Sequence, residues 1–200
     1  MASVKYPPNY IRINSEKFNL NNKLIEIPQY HIIFDQWEGV PIKETFGGGK
    51  PLINWENYPV FAELAIMKTF VKDGWDARWL ETYGMGNKYP KCLTEWKDDK
   101  YRNQISNPIA EKEIDKMLND ISKLNNNSFS GCWDVLAWKE GNIIFAESKR
   151  QKKDSIRQSQ VQWLQAAIEY GLKPENFIII QWEFQCFSDS KIAKITGDSG

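Results

Sequence analysis

A chain of 200 residues with 42% apolar residues and a formal net charge of +0 has the size of one soluble domain with its own core, which excludes a disordered tail, a collagen-like rod and a generally basic nucleic-acid coat protein. Nine tryptophans point the same way, because large rings stabilise a fold only when something packs over them. No apolar run approaches the roughly 18 residues of a membrane span, and MASVKYPPNY lacks the apolar centre of a signal peptide, so a cytoplasmic protein is expected.

The segments 10–13, 24–27 and 30–34 are short apolar pieces separated by Asn, Pro and Gly, which predicts strands or extended arms. Gly47-Gly48-Gly49-Lys50 is not a phosphate loop, since Glu44 and Pro51 occupy its required Gly and Ser/Thr positions. Asn57 and Pro59 predict the start of a helix that runs to Lys72 and is ended by Gly74. A strand over 76–83 follows. Gly84-Met85-Gly86 lacks the third glycine of a dinucleotide fingerprint and reads as a turn. Residues 84–107 are polar, aromatic and irregular, whereas 108–124 show helical spacing at Ile109, Ile114, Met117, Leu118 and Ile121. After a loop at Asn125-Asn126-Asn127 come a strand (132–138), a turn (139–142), a strand (143–149), a helix capped by Asp154 or Ser155 and stopped by Gly171, and an apolar strand (177–184).

The side-chain inventory narrows the chemistry. Cys92, Cys132 and Cys186 are odd in number and widely spaced, which reads as packed, reduced thiols rather than a disulfide framework or zinc site. His31 is the single histidine and lies in an apolar run, so chemistries needing several imidazoles are excluded. No G-x-S-x-G elbow accompanies it. A metal here would be held mainly by oxygen.

A hairpin turning about Glu140-Gly141 sets Trp138 opposite Ile143, Leu136 opposite Phe145 and Asp134 opposite Glu147. Alternation then places Asp134, Glu147 and Lys149 at one end of a largely apolar face. Cross-strand carboxylates about 5 Å apart repel one another, and a divalent cation relieves the conflict. Oxygen donors without histidine suit Mg²⁺ or Mn²⁺. An ordinary ion-pair network at a strand end is the alternative. Glu63 and Gln160 each fall within an apolar helix stripe, where a polar group needs a specific partner. From Glu147 to Arg157 the chain carries five cations, Lys149, Arg150, Lys152, Lys153 and Arg157, against two acids, a local attraction for phosphate.

These residues resemble the PD-(D/E)XK nuclease superfamily, with Asp134 followed by Glu147-Ser148-Lys149 as the E-x-K element. The longer run through Gly131, Asp134, Glu147-Ser148-Lys149, Asp154, Arg157, Gln160 and Trp163 is most similar to the VRR-NUC branch. Trp133 stands where that family often has proline, and the distance from Glu63 to Asp134 implies an insertion, with Glu81 and Glu95 as alternative early carboxylates. The resemblance implies an α/β, restriction-endonuclease-like core of helix, β-hairpin, helix and strand. It implies that Asp134 and Glu147 bind Mg²⁺ (or Mn²⁺), with the Ser148 carbonyl as a further ligand and Glu63 supporting the metal. By the same likeness Lys149 polarises the attacking water or stabilises the transition state, and Gln160 orients the centre. Arg150, Lys152, Lys153 and Arg157 are the candidate nucleic-acid contacts.

The expected organisation is a strand-rich arm over 1–55 packed on the core, a nuclease domain over 56–187 with an insertion at 84–128, and a flexible tail over 188–200. The expected activity is hydrolysis of phosphodiester bonds through a Mg-bound water, with DNA as the first candidate polymer, RNA as the second and a homodimer as one arrangement. The competing expectations are a non-catalytic nucleic-acid-binding or protein-interaction module with the same fold, and a small-molecule phosphodiesterase. Trp75, Trp79 and Trp96 are candidates for base stacking, with core packing as the alternative.

Overall fold

The computed structural model describes residues 6–7, 10–44, 46, 49–84 and 87–185. In chain order its elements are β1 (Ile11–Leu20), β2 (Lys23–Phe34), β3 (Ile53–Trp55), β4 (Tyr58–Val60), α1 (Ala62–Lys72), β5 (Asp76–Glu81) and β6 (Lys91–Leu93). Then follow α2 (Lys112–Leu124), β7 (Val135–Lys139), β8 (Asn142–Arg150), α3 (Gln158–Tyr170) and β9 (Phe177–Phe184). Seven strands form one mixed sheet in the order β1-β2-β9-β8-β7-β5-β6, and β3 and β4 form a separate hairpin. Strand β9 runs parallel to both of its neighbours, β2 and β8, and the remaining pairs are antiparallel.

Strands buried on both faces need runs of apolar residues, and the central ones have them over 143–146 of β8 and 177–180 of β9. Ile178, Ile180 and Trp182 of β9 join Ile144, Ala146, Val135 and Ala137 in a core that includes Leu64, Ile66, Met67 and Phe70 of α1. On the opposite face Phe177, Ile179, Phe145, Leu136 and Trp138 pack with Met117, Leu118 and Ile121 of α2 and Trp163, Leu164 and Ala167 of α3. The sheet is thus sandwiched between α1 on one side and α2 with α3 on the other.

Several boundaries differ from the sequence expectation. The pieces at 10–13, 24–27 and 30–34 belong to one long hairpin, β1–β2, turning at Asn21-Asn22, both with positive φ (49° and 62°). Pro28 interrupts nothing, because β2 gains its second partner only from Gln29 onward, opposite Ile179. Strands β1 and β2 are therefore members of the main sheet. Helix α1 begins at Ala62, not at Asn57 or Pro59: Glu56-Asn57 is a left-handed two-residue turn (φ 52° and 68°), and Pro59 of β4 pairs with Asn54 of β3. The segment 84–107 contains a short strand, β6, on the edge beside β5. Helix α3 starts at Gln158, and Asp154 instead accepts the Arg150 N–H at 3.0 Å, closing the preceding loop.

Other expectations hold. Gly74 (φ 80°) follows the C-cap of α1, and Gly171 (φ 117°) ends α3. The hairpin β7–β8 turns at Glu140-Gly141, with Leu136 opposite Phe145 and Trp138 opposite Ile143. Trp75 and Trp79 are buried in the core, which makes them packing residues rather than base-stacking platforms, and Trp96 packs against it. Cys92 and Cys132 are free and buried, whereas Cys186, Gly47, Gly48, Met85, Gly86 and the tail 188–200 lie outside the described residues. Among the described residues no helix is long and apolar enough to cross a membrane.

Candidate active site

The β7–β8 ladder stops at Val135 opposite Ala146, while β8 continues to Arg150 alongside β9 alone. Beyond that point one edge of β8 lacks a strand partner, and the side chain of Asp134 takes the partner's place. Its Oδ2 accepts the Ser148 N–H at 2.9 Å, while its own carbonyl accepts the Leu80 N–H at 2.7 Å. The N–H and C=O of one strand residue point to the same side, so the Ser148 carbonyl is directed into the same gap. Asp134 is thereby turned toward the plane of the sheet, with access to groups from both faces. This refines the expectation that it lies on the face of Leu136.

Alternation along β8 continues the Phe145 face through Glu147 and Lys149, toward α3. Both are buried, 1% and 7% exposed, and Lys149 Nζ lies 2.9 Å from Glu147 Oε1. Gln160, in the first turn of α3, ties the pair together. Its Oε1 accepts from Lys149 Nζ at 3.1 Å and from the Arg157 N–H at 2.8 Å, while its Nε2 donates to Glu147 Oε1. The amide thus caps its own helix and locks the two charged groups. The turn that delivers Asp134 is fixed by Gly131 (φ 78°): a Cβ there would lie 2.0 Å from the Ser159 carbonyl oxygen and 2.7 Å from the Gln160 nitrogen. Trp133 Nε1 also donates to the Gln160 carbonyl at 3.3 Å.

From the opposite face α1 presents Glu63, its first-turn acid, and β5 ends in the buried Glu81. Burial, and then the charge of Glu63, push the Asp134 carboxyl above the usual carboxylate range. Burial, and then Asp134, push Glu147 well above it. Glu81 is raised by burial to about 7, despite the opposing effects of Lys50 and of its hydrogen bond from the Tyr83 N–H. Burial that nearby cations do not fully offset thus raises Asp134, Glu147 and Glu81 together.

Lys50 joins this centre although nothing local in Gly49-Lys50-Pro51 signals it. Its Nζ donates to Glu63 Oε1 at 3.0 Å and sits 4.3 Å from the centroid of the Phe46 ring. Burial pulls its ammonium down, but Glu63, Glu81 and Asp134 more than offset this and leave it above the ordinary lysine value. Glu81, an early carboxylate by sequence, is drawn into the centre beside Glu63, whereas Glu95 is exposed.

The basic residues lie on the turn after β8. Arg150 stacks over Trp182 and Phe184, with 5.6 and 5.2 Å to the ring centroids, whereas Lys152, Lys153 and Arg157 are exposed. An open cleft of about 560 Å³, lined by Asp35, Trp37, Glu38 and Gln185 among others, shares no residue with the carboxylate centre. Among the described residues no three His, Cys, Asp or Glu side chains stand together as a ready metal cage. Asp134, Glu147 and the Ser148 carbonyl are oxygen donors that could hold a hard cation.

Among the described residues the geometry defines an α/β fold of three α-helices, a seven-stranded mixed sheet and a hairpin, with a buried carboxylate–lysine centre where β7 leaves β8. No family model matches this chain, and neither a curated protein nor a solved structure matches it.

Proposed function

We propose that this protein is a metal-dependent nuclease that hydrolyses phosphodiester bonds of DNA, with a restriction-endonuclease-like core of PD-(D/E)XK type, most similar to the VRR-NUC branch. One observation carries the reading: Glu147 and Lys149, two residues apart on β8, are buried as an ion pair beside Asp134. A stability-driven fold has little use for such a group, since burying a charge pair costs desolvation that its mutual attraction barely repays.

Asp134, Glu147 and the Ser148 carbonyl would hold Mg²⁺ or Mn²⁺, with Glu63 as a supporting carboxylate. The cation, when bound, would acidify a water and draw charge from the phosphate. Lys149 is held by Gln160 and Glu147, so its ammonium is oriented before substrate arrives and can stabilise charge growing on a phosphate oxygen. Gln160 fixes that orientation from the first turn of α3, and Arg150, Lys152, Lys153 and Arg157 would contact the backbone phosphates. The proposed setting is the cytoplasm.

The test is cleavage of labelled linear, circular, single-stranded and branched DNA by wild type and Glu147→Ala, with Mg²⁺, with Mn²⁺ and with chelator. Metal-dependent cutting that disappears in Glu147→Ala is the expected result. Equal cutting by both proteins, or none above background with either metal, would remove the nuclease reading in favour of a binding module.

A further inference from the structure

Two lysines flank Asp134 from opposite faces of the sheet. Lys149 comes from β8 on the side of α3, and Lys50 comes from the segment between β2 and β3, outside the elements that carry the acids. Lys50 is not a surface lysine that happens to meet a glutamate. Its side chain is one-third exposed and that of Glu63 only 16%, and its ammonium lies against a wall of rings, 4.3 Å from Phe46, 5.5 Å from Trp79 and 5.7 Å from Phe61. A cation over aromatic faces, bonded to a carboxylate, is held on two counts at once. The charge of Glu63 in turn helps to raise the Asp134 carboxyl.

We infer that Lys50 is the resident counter-cation of the Glu63–Asp134 half of the centre, and that a divalent ion must bind in competition with it. The inference rests on the metal-dependent reading above. A positive charge this close opposes the approach of a second one, and it occupies the Glu63 oxygen that would otherwise turn toward the ion. Lys50 therefore acts as a positioning residue. It keeps the carboxylates ordered in the metal-free protein, and it raises the metal concentration at which the centre fills.

The experiment is a Mn²⁺ titration, read by calorimetry and by the loss of the free-ion paramagnetic signal, on wild type, Lys50→Met, Lys50→Gln and Lys50→Arg. Methionine keeps the apolar stem over Phe46 and removes the charge, and glutamine gives an independent charge-free variant. Circular dichroism verifies the fold of each. Removing the charge is expected to tighten Mn²⁺ binding by about tenfold, with Lys50→Arg restoring the wild-type affinity. A change below roughly threefold, or weaker binding, in the folded charge-free variants would overturn the inference. A purely structural role for Lys50 would not separate arginine from methionine in this way. The two readings fail separately. If wild type binds no Mn²⁺ but Lys50→Met does, the competition stands and the metal centre of the native protein falls; if neither binds, both fall.

Discussion

Replacing Glu81 by glutamine is expected to stabilise the metal-free protein, and to do so only where the native side chain is ionised. Glu81 is 9% exposed, and its pKa is raised by burial from 4.5 to about 7. The folded state therefore keeps a proton that the unfolded chain releases near 4.5, and stability falls as pH rises from there through about 7. Above that range the ionised carboxylate lowers stability by about 3 kcal/mol, the free-energy equivalent of the shift. Glutamine retains the oxygen that accepts the Tyr83 N–H at 2.6 Å, so the substitution removes charge while preserving that hydrogen bond. Urea unfolding in chelator at pH 5 and pH 8 measures the difference. The variant should exceed wild type by about 3 kcal/mol at pH 8 and by less than about 1 kcal/mol at pH 5. A variant no more stable than wild type at pH 8, or a gap equal at both pH values, would refute the electrostatic account of the centre.

Gly131→Ala should lower stability by more than about 2 kcal/mol, because it combines a left-handed φ with a collision between two backbones that cannot yield separately. Urea unfolding with an unchanged midpoint would sink that expectation. The exposed cations can be tested on DNA binding in a Glu147→Ala background. Replacing Lys152, Lys153 and Arg157 together by alanine should reduce the slope of log Kd against log salt by roughly 2 to 3, about 0.9 for each phosphate that is no longer neutralised. An unchanged slope would show that the polymer runs elsewhere.

The part of the site that lies within one hairpin was legible in the sequence. Glu140-Gly141 fixes the turn, the turn fixes the register, and the register brings Asp134 to Glu147. The helical stripe around Gln160 was equally informative, since an amide among Trp163, Leu164 and Ala167 needs partners and finds Glu147 and Lys149. What was hidden depends on distant segments. Lys50 reaches Glu63 through the chain's path after β2, which no periodicity encodes. The start of α1 is hidden in the sequence because Phe61 at its N-cap offers no capping side chain, while Pro59 imitates a helix start from within a strand. The β1–β2 hairpin carried a usable signal at Asn21-Asn22, but Pro28 looked like an interruption until β9 supplied the neighbour that begins after it.

The position of β9 has a consequence for how the protein is made. Among the described residues the strand that comes last in chain order lies near the middle of the sheet, between β2 and β8. During synthesis the β1–β2 hairpin emerges early, yet it has no strand to dock against until Phe177–Phe184 follows. Pairings across so long a separation form slowly, because the entropy of closing the intervening loop is surrendered before any stabilisation returns. The hairpin must therefore wait, with Ile27, Ile32 and Phe34 unburied, while the β5–β7–β8 unit and α1 assemble from nearer neighbours. Completion of the sheet therefore waits for β9, so a chain lacking Phe177–Phe184 would lose the attachment of its first two strands as well as β9 itself.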